Sequence, residues 1–64
     1  MKSPDEPDDV IFEYVQMGNS TRVVAVDAAT GTEITIQVPT NLSSSDMQFI
    51  ALKKLMYVLD KQKE

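Results

Sequence analysis

Two glutamates are the residues of this sequence whose spacing comes closest to an acid–base pair. Glu13 and Glu33 fall in two separate runs of strand-forming residues. In the strand pairing predicted below they flank Val26 on one sheet face, roughly 10 Å apart, near the carboxyl separation of inverting glycosidases. An open sheet has no cleft that would raise a carboxyl pKa or exclude water. We therefore interpret both glutamates as solvated side chains.

Nucleophilic and metal-assisted chemistry both lack their usual residues. The chain contains no His and no Cys, so the common base and the common zinc ligands are missing. The serines at 43–45 precede Lys53 and Lys54, but helix capping accounts for these serines. Gly18 and Gly31 are isolated turn glycines. The sequence thus predicts a protein that is not an enzyme, with no catalytic residue, cofactor, metal site or evident small-molecule substrate.

Size and charge narrow the possible functions further. A chain of 64 residues forms one domain with a marginal core, and without cysteines oligomerisation is the remaining way to stabilise it. The net charge of −4 opposes nucleic-acid binding, although four of the ten acids lie in the first nine residues. No apolar run approaches the roughly 20 residues of a membrane span, and no secretory signal is visible. We expect a cytoplasmic protein without a membrane partner.

The chain divides into a tail and one domain. Residues 1–9 combine two prolines with four acids, a composition that predicts a disordered tail. Residues 10–64 then form the domain, which begins with three runs rich in β-branched and aromatic residues. These runs are residues 10–17, 22–27 and 33–38. Their short connections allow only antiparallel pairing, so they form a meander.

The turns predict the strand register. A two-residue loop at Asn19-Ser20 would pair Met17 with Arg22, and a four-residue loop at 28–31 would pair Asp27 with Thr32. Partners across strands share a face. The first face then holds Phe12, Tyr14, Val23, Ala25, Ile34, Ile36 and Val38. The second holds Ile11, Glu13, Val15, Met17, Val24, Val26, Thr35 and Gln37.

A helix follows the strands. Ser45 and Gln48 fit a capping box, and good helix formers continue to about Gln62. Its apolar arc contains Ala51, Leu52, Leu55, Met56, Val58 and Leu59, with Phe49 on the edge. This arc must lie on a sheet, and the first face is its partner. The predicted fold is therefore α+β: a three-stranded antiparallel meander packed against one C-terminal helix (βββα).

More apolar surface is present than this fold needs. The second sheet face remains apolar, the helix arc is wider than one sheet contact requires, and two apolar residues lie on the polar side of the helix. The candidate interface residues are Ile11, Val15, Met17, Val24, Val26, Ile50 and Tyr57. This excess predicts a protein-interaction module, most simply a homodimer, that uses the second face or the helix arc.

Nucleic-acid binding is the alternative function. Sheets that read a nucleic acid display cations and stacking aromatics on their open face, and this sheet offers a single arginine there. Four basic residues are candidates for phosphate contacts: Arg22, Lys53, Lys54 and Lys61. Helix solubility explains the lysines equally well, so nucleic acid is the less favoured partner.

Two stretches resemble a known family. They are residues 10–39 and 51–59, and the likeness is carried by the Gly18-Asn19-Ser20 turn, the turn at 27–33 and the Leu-Lys-Lys-Leu segment at 52–55. These stretches resemble a family of short uncharacterised alphaproteobacterial proteins. The resemblance implies a bacterial, cytoplasmic protein without an assigned activity. It therefore assigns no functional residue.

Overall fold

The computed structural model describes residues 9–62 and has three strands followed by one helix. These elements are β1 (Val10–Met17), β2 (Ser20–Asp27), β3 (Thr32–Pro39) and α1 (Ser44–Gln62). The strands pair antiparallel in the order β1-β2-β3, and α1 packs on one face of the sheet. The predicted α+β fold of βββα order is confirmed. The tail predicted at 1–9 lies outside the described residues except for Asp9.

The first hairpin differs from its predicted register. Met17 pairs with Ser20 and Val15 pairs with Arg22, so the two-residue loop is Gly18-Asn19. The predicted loop, one residue later, is wrong. Gly18 has φ 67° whereas Asn19 does not have a positive φ, which is typical of a type II′ turn with glycine at its first central position.

This correction leaves the two sheet faces unchanged. The pairing partner of every β1 residue moves by two positions along β2, and side chains on a strand alternate with a period of two. Phe12 and Tyr14 therefore share a face with Ala25 and Val23, as predicted. The face assignment is confirmed although the register behind it was wrong.

The second hairpin has the predicted register. Asp27 pairs with Thr32, and the four-residue loop between them ends at Gly31, with φ 76°. The Asp27 carbonyl accepts a hydrogen bond of 2.7 Å from the Gly31 amide. Its carboxylate, which is buried, accepts one of 2.8 Å from the Thr30 hydroxyl. Side-chain bonds of this kind hold a turn closed and satisfy a buried acid.

The helix begins earlier than the capping pattern predicted. The Ser43 hydroxyl accepts a hydrogen bond of 3.1 Å from the Asp46 amide, and the Ser43 carbonyl accepts one of 3.0 Å from Met47. Ser43 is therefore the N-cap. The predicted cap at Ser45, paired with Gln48, is wrong by two residues, because three consecutive serines offer the same capping hydroxyl.

The core lies between α1 and the first face. Its buried apolar residues are Val23, Ala25, Ile34, Val38, Met47, Ala51 and Leu55. Val23 and Leu55 are the largest fully buried side chains of residues 9–62. The helix arc was predicted imperfectly: Met47 was omitted from it, and Phe49, placed at its edge, is 62% exposed. The core is small, as expected for a domain of this size.

The residue that follows β3 is hydrogen-bonded to the turn between β1 and β2. The Thr40 amide donates a hydrogen bond of 2.9 Å to the Asn19 carbonyl, and the Thr40 hydroxyl donates one of 3.2 Å to the Gly18 carbonyl. The Thr40 hydroxyl oxygen also lies 3.1 Å from that of the buried Thr21. The segment that leads into the helix is thus joined to the turn between β1 and β2.

Candidate interaction surface

One helix leaves part of the sheet uncovered. An α-helix is about 10–12 Å wide and neighbouring strands are about 4.8 Å apart, so a helix covers about two strands. α1 packs over β2 and β3. Tyr14 of β1 points to the same side of the sheet as the helix but is 40% exposed, while Phe12 reaches the margin of the core. β1 is therefore the least covered strand.

The other side of the sheet faces away from the helix, and we call it the open face. The five predicted interface residues on the sheet lie here together: Ile11, Val15, Met17, Val24 and Val26. Three of them belong to β1, and two of those three, Ile11 and Met17, are 59% and 47% exposed. On β3 the same face is polar, because it carries Glu33, Thr35 and Gln37. The apolar part of the open face is therefore centred on β1.

The outer side of β1, the β1 edge, presents backbone groups that β2 does not use. The Asp9 carbonyl accepts a hydrogen bond of 2.9 Å from the Ala28 amide. Because the direction of these groups alternates along an antiparallel strand, the odd-numbered residues of β1 face β2. The residues whose N–H and C=O groups point outward are then Val10, Phe12, Tyr14 and Gln16. The β1 edge is a potential template for another strand.

The opposite side of the sheet, the β3 edge, is less suited to pairing. The bond from the Thr40 amide to the Asn19 carbonyl indicates that even-numbered residues of β3 face β2. The outward residues are Glu33, Thr35, Gln37 and Pro39. Pro39 has no N–H to offer, and proline and charged side chains are common on strands that avoid further pairing.

The remaining two predicted interface residues lie elsewhere. Ile50 and Tyr57 are exposed on the outer surface of α1, on the other side of the molecule from the open face. The structure therefore separates the seven candidates into two surfaces. Phe49 is also exposed on this helix surface. Its place at the edge of the predicted arc did not decide whether it would be buried or exposed.

The candidate phosphate contacts are also divided. Arg22 lies on the open face, whereas the three lysines lie on α1. The Lys53 Nζ atom is 5.4 Å from the centroid of the Phe49 ring, and the Lys61 Nζ atom is 5.7 Å from that of Tyr57. Both are cation–π contacts between residues four apart on a helix. These four basic residues therefore do not form one continuous patch.

The two glutamates are farther apart than predicted. Glu13 lies opposite Val24 and Glu33 lies opposite Val26. Their predicted position on either side of Val26 is wrong, because it depended on the register of the first hairpin. An offset of two residues across two strand spacings places them about 12 Å apart, and both side chains are exposed.

Residues 9–62 contain neither a metal-binding cluster nor a membrane-spanning helix. No group of three His, Cys, Asp or Glu side chains in this range is placed to hold a metal ion. The helix found there is too short or too polar to cross a bilayer.

Together these observations define a small α+β domain in which β1 is the edge strand better suited to further pairing and one apolar sheet surface is open. The chain belongs to the family described as a domain of unknown function, DUF6898, whose model matches residues 7–63. No curated protein matches the chain. No solved structure matches it either.

Proposed function

We propose that this chain is a non-enzymatic interaction module that works as a homodimer, and that β1 lies at the centre of its interface. The observation that carries this proposal is the exposure of β1. It combines uncovered apolar side chains on both faces with an edge that no described residue pairs. Exposed edges of this kind are commonly used in association between proteins.

The size of the core supports the need for a second copy. Of the buried apolar residues, two are alanines, and no disulfide is possible in a chain without cysteine. Domains below about 70–80 residues rarely obtain enough stability from such a core alone. Burial of Ile11, Tyr14 and Met17 against a second copy would add the apolar area that one copy leaves in water.

The helix surface is a second candidate for the interface. Ile50, Tyr57 and Phe49 expose apolar side chains there. Lys53 and Lys61, however, lie over the two aromatic rings and would have to move before another protein could cover them. The β1-centred surface has no such obstacle and is the better supported of the two.

Nucleic-acid binding through the helix lysines is the alternative function. Lys53, Lys54 and Lys61 are exposed along one helix, which favours contact with phosphates. The separation of Arg22 from these lysines and the net charge of −4 oppose it. Contacts to phosphate weaken steeply with salt, whereas apolar association does not.

Sedimentation equilibrium over a wide range of protein concentration, at low and at high salt, tests the proposal. We expect a dimer whose affinity changes little with salt. A monomer at every concentration would overturn self-association. Fluorescence anisotropy with a labelled double-stranded oligonucleotide completes the test: binding that is lost as salt rises, by a monomeric protein, would support the alternative instead.

A further inference from the structure

Resting on the proposed self-association, we infer that the second copy joins the β1 edge by antiparallel pairing, with the two Tyr14 residues facing each other at the two-fold axis. The two three-stranded sheets then form one continuous sheet, and both helices lie on the same side of it. Three properties of β1 select this arrangement: its free backbone groups, its charge pattern and its exposed side chains.

The free backbone groups match this register. In a pairing centred on Tyr14, Phe12 of each copy lies opposite Gln16 of the other. Phe12, Tyr14 and Gln16 all direct N–H and C=O groups outward, away from β2. Each of these opposed pairs can therefore exchange two hydrogen bonds without disturbing the pairing of β1 with β2.

The charge pattern disfavours the register centred on Glu13. In a continuous sheet, opposed residues share a face. The two-fold axis must therefore lie between one residue of β1 and the same residue of the second copy. An axis at Glu13 would bring Glu13 of both copies face to face, and like charges directly opposite are destabilising. An axis at Phe12 would leave the apolar end of β1, including Met17, without a partner. An axis at Val15 would place Ile11 opposite Asn19 and Met17 opposite Glu13, so that neither exposed apolar side chain would lie opposite another.

An axis at Tyr14 instead gives Glu13 favourable neighbours. It lies opposite Val15 of the second copy, and Val15 is paired on its other side with Arg22. Arg22 of one copy and Glu13 of the other thus flank the same valine on the open face. The long side chains of arginine and glutamate carry opposite charges along this row, which gives the seam charge complementarity.

The exposed apolar side chains also match across the seam. Ile11 of each copy lies opposite Met17 of the other, so the two most exposed apolar residues of β1 cover one another. The two helices do not interfere with each other. A helix that lies over the middle of β2 and β3 is four strand spacings, about 19 Å, from the corresponding helix of the second copy. That exceeds the 10–12 Å diameter of a helix.

Disulfide trapping tests the register, because the chain has no native cysteine. Opposed residues of a hydrogen-bonded pair have Cα atoms about 5.5 Å apart, within the range of a disulfide. Under mild oxidation we expect Tyr14→Cys to form a covalent dimer at a yield at least about tenfold above that of Thr35→Cys on the β3 edge, because thiols held together react at a high effective concentration.

Two further variants test neighbouring positions. Glu13→Cys is the control for the neighbouring register, and its two thiols would lie diagonally, beyond bridging distance. An equimolar mixture of Ile11→Cys and Met17→Cys keeps Tyr14 intact, and we expect it to give the mixed covalent dimer in preference to either homodimer.

The outcomes separate this inference from the proposed function. A dimer in sedimentation that is trapped by Glu13→Cys or by Thr35→Cys, and not by Tyr14→Cys or the mixture, would overturn the seam while leaving self-association intact. A dimer trapped by none of these variants would have the same meaning and would place the interface away from both edges. A protein that stays monomeric would overturn both.

Discussion

The β3 edge and the β1 edge belong to the same sheet and have strands of equal length, yet they differ in how well they could pair with a further strand. β3 lies beneath α1, presents polar side chains on the open face and ends at Pro39. β1 lies at the margin of the helix, has Glu13 as its single charge and is apolar on both faces. The same meander thus has one edge that discourages a further strand and one that lacks such protection.

The difference shows what the position of a single helix decides in a small domain. A helix wide enough for two strands must leave the third one exposed, and here it leaves the more apolar strand. Because burial of apolar side chains is favourable, the exposed side chains of β1 leave stability to be gained by association. The placement is consistent with a strand whose cover comes from a second copy.

Loss of the contact between α1 and the sheet should have the largest effect on stability, because that contact separates the covered strands from β1. Leu55 is fully buried between α1 and the sheet, so Leu55→Ala should destabilise the fold by about 2–5 kcal/mol. The measurement is chemical denaturation at low protein concentration, where the contribution of association is smallest. Phe49→Ala, at an exposed position of the same helix, should change the free energy of unfolding by about 0.5 kcal/mol or less. Equal effects of the two variants would contradict the assigned core.

Proline substitution compares the two edges directly. Tyr14→Pro and Thr35→Pro each remove an N–H that points outward, which an edge strand tolerates. Tyr14→Pro should weaken the dimer by about 2 kcal/mol, or about thirtyfold, because two symmetry-related hydrogen bonds are lost. Thr35→Pro should leave the dimer intact. Sedimentation equilibrium measures both, with circular dichroism to establish folding; weakening by Thr35→Pro alone would assign the interface to the β3 edge.

Loss of the cap of α1 should lower the stability of the domain by less than loss of the Leu55 contact. Ser43→Ala removes the hydroxyl that accepts from the Asp46 amide, and should cost about 1 kcal/mol of stability. Ser44→Ala is the matched control in the first turn, and Ser45→Ala, whose hydroxyl lies 3.3 Å from that of Ser43, tests the cap that the sequence predicted. Thermal unfolding of the three variants distinguishes them, and a larger loss for Ser45→Ala than for Ser43→Ala would support the cap that the sequence pattern predicted.

A charge on the open face should have the smallest effect on assembly. Val24 lies on the central strand, away from both edges. If copies join edge to edge, Val24→Asp should leave the mass of the dimer unchanged. Dissociation of this variant into a folded monomer, seen by sedimentation and circular dichroism, would show instead that the open faces stack on each other.

The sequence alone was sufficient for the order of elements and for the two faces of the sheet. Face assignment depends only on whether a register is odd or even, so an error of two residues in the first hairpin did no harm. The capping serine was not predictable in the same way. Ser43 is followed three residues later by Asp46 and Ser45 by Gln48, and either polar side chain suits the third position of a capped helix. Phe49 was ambiguous because it lies at the boundary of a wide arc, where a few degrees of helix rotation decide exposure.

The candidate surface was predicted in composition but not in position. The alternation of residues identified Ile11, Val15 and Met17 as surplus, and it grouped them with Ile50 and Tyr57, which the structure places on the other side of the molecule. The importance of Tyr14 was missed because it shares a face with the core. Its exposure follows from the lateral placement of α1, which depends on packing between distant segments and has no local sequence signal.

The fastening of Thr40 to the first turn has a consequence for the way the domain opens. The Thr40 amide and hydroxyl bond to carbonyls of Asn19 and Gly18, so the helix connector cannot detach without breaking both of its bonds to the β1–β2 turn. Local fluctuations at these two sites should therefore occur together, as one cooperative unit. In native-state hydrogen exchange, the Thr40 amide should exchange with the protection factor of the amides beside the β1–β2 turn, above that of a loop residue without a hydrogen bond.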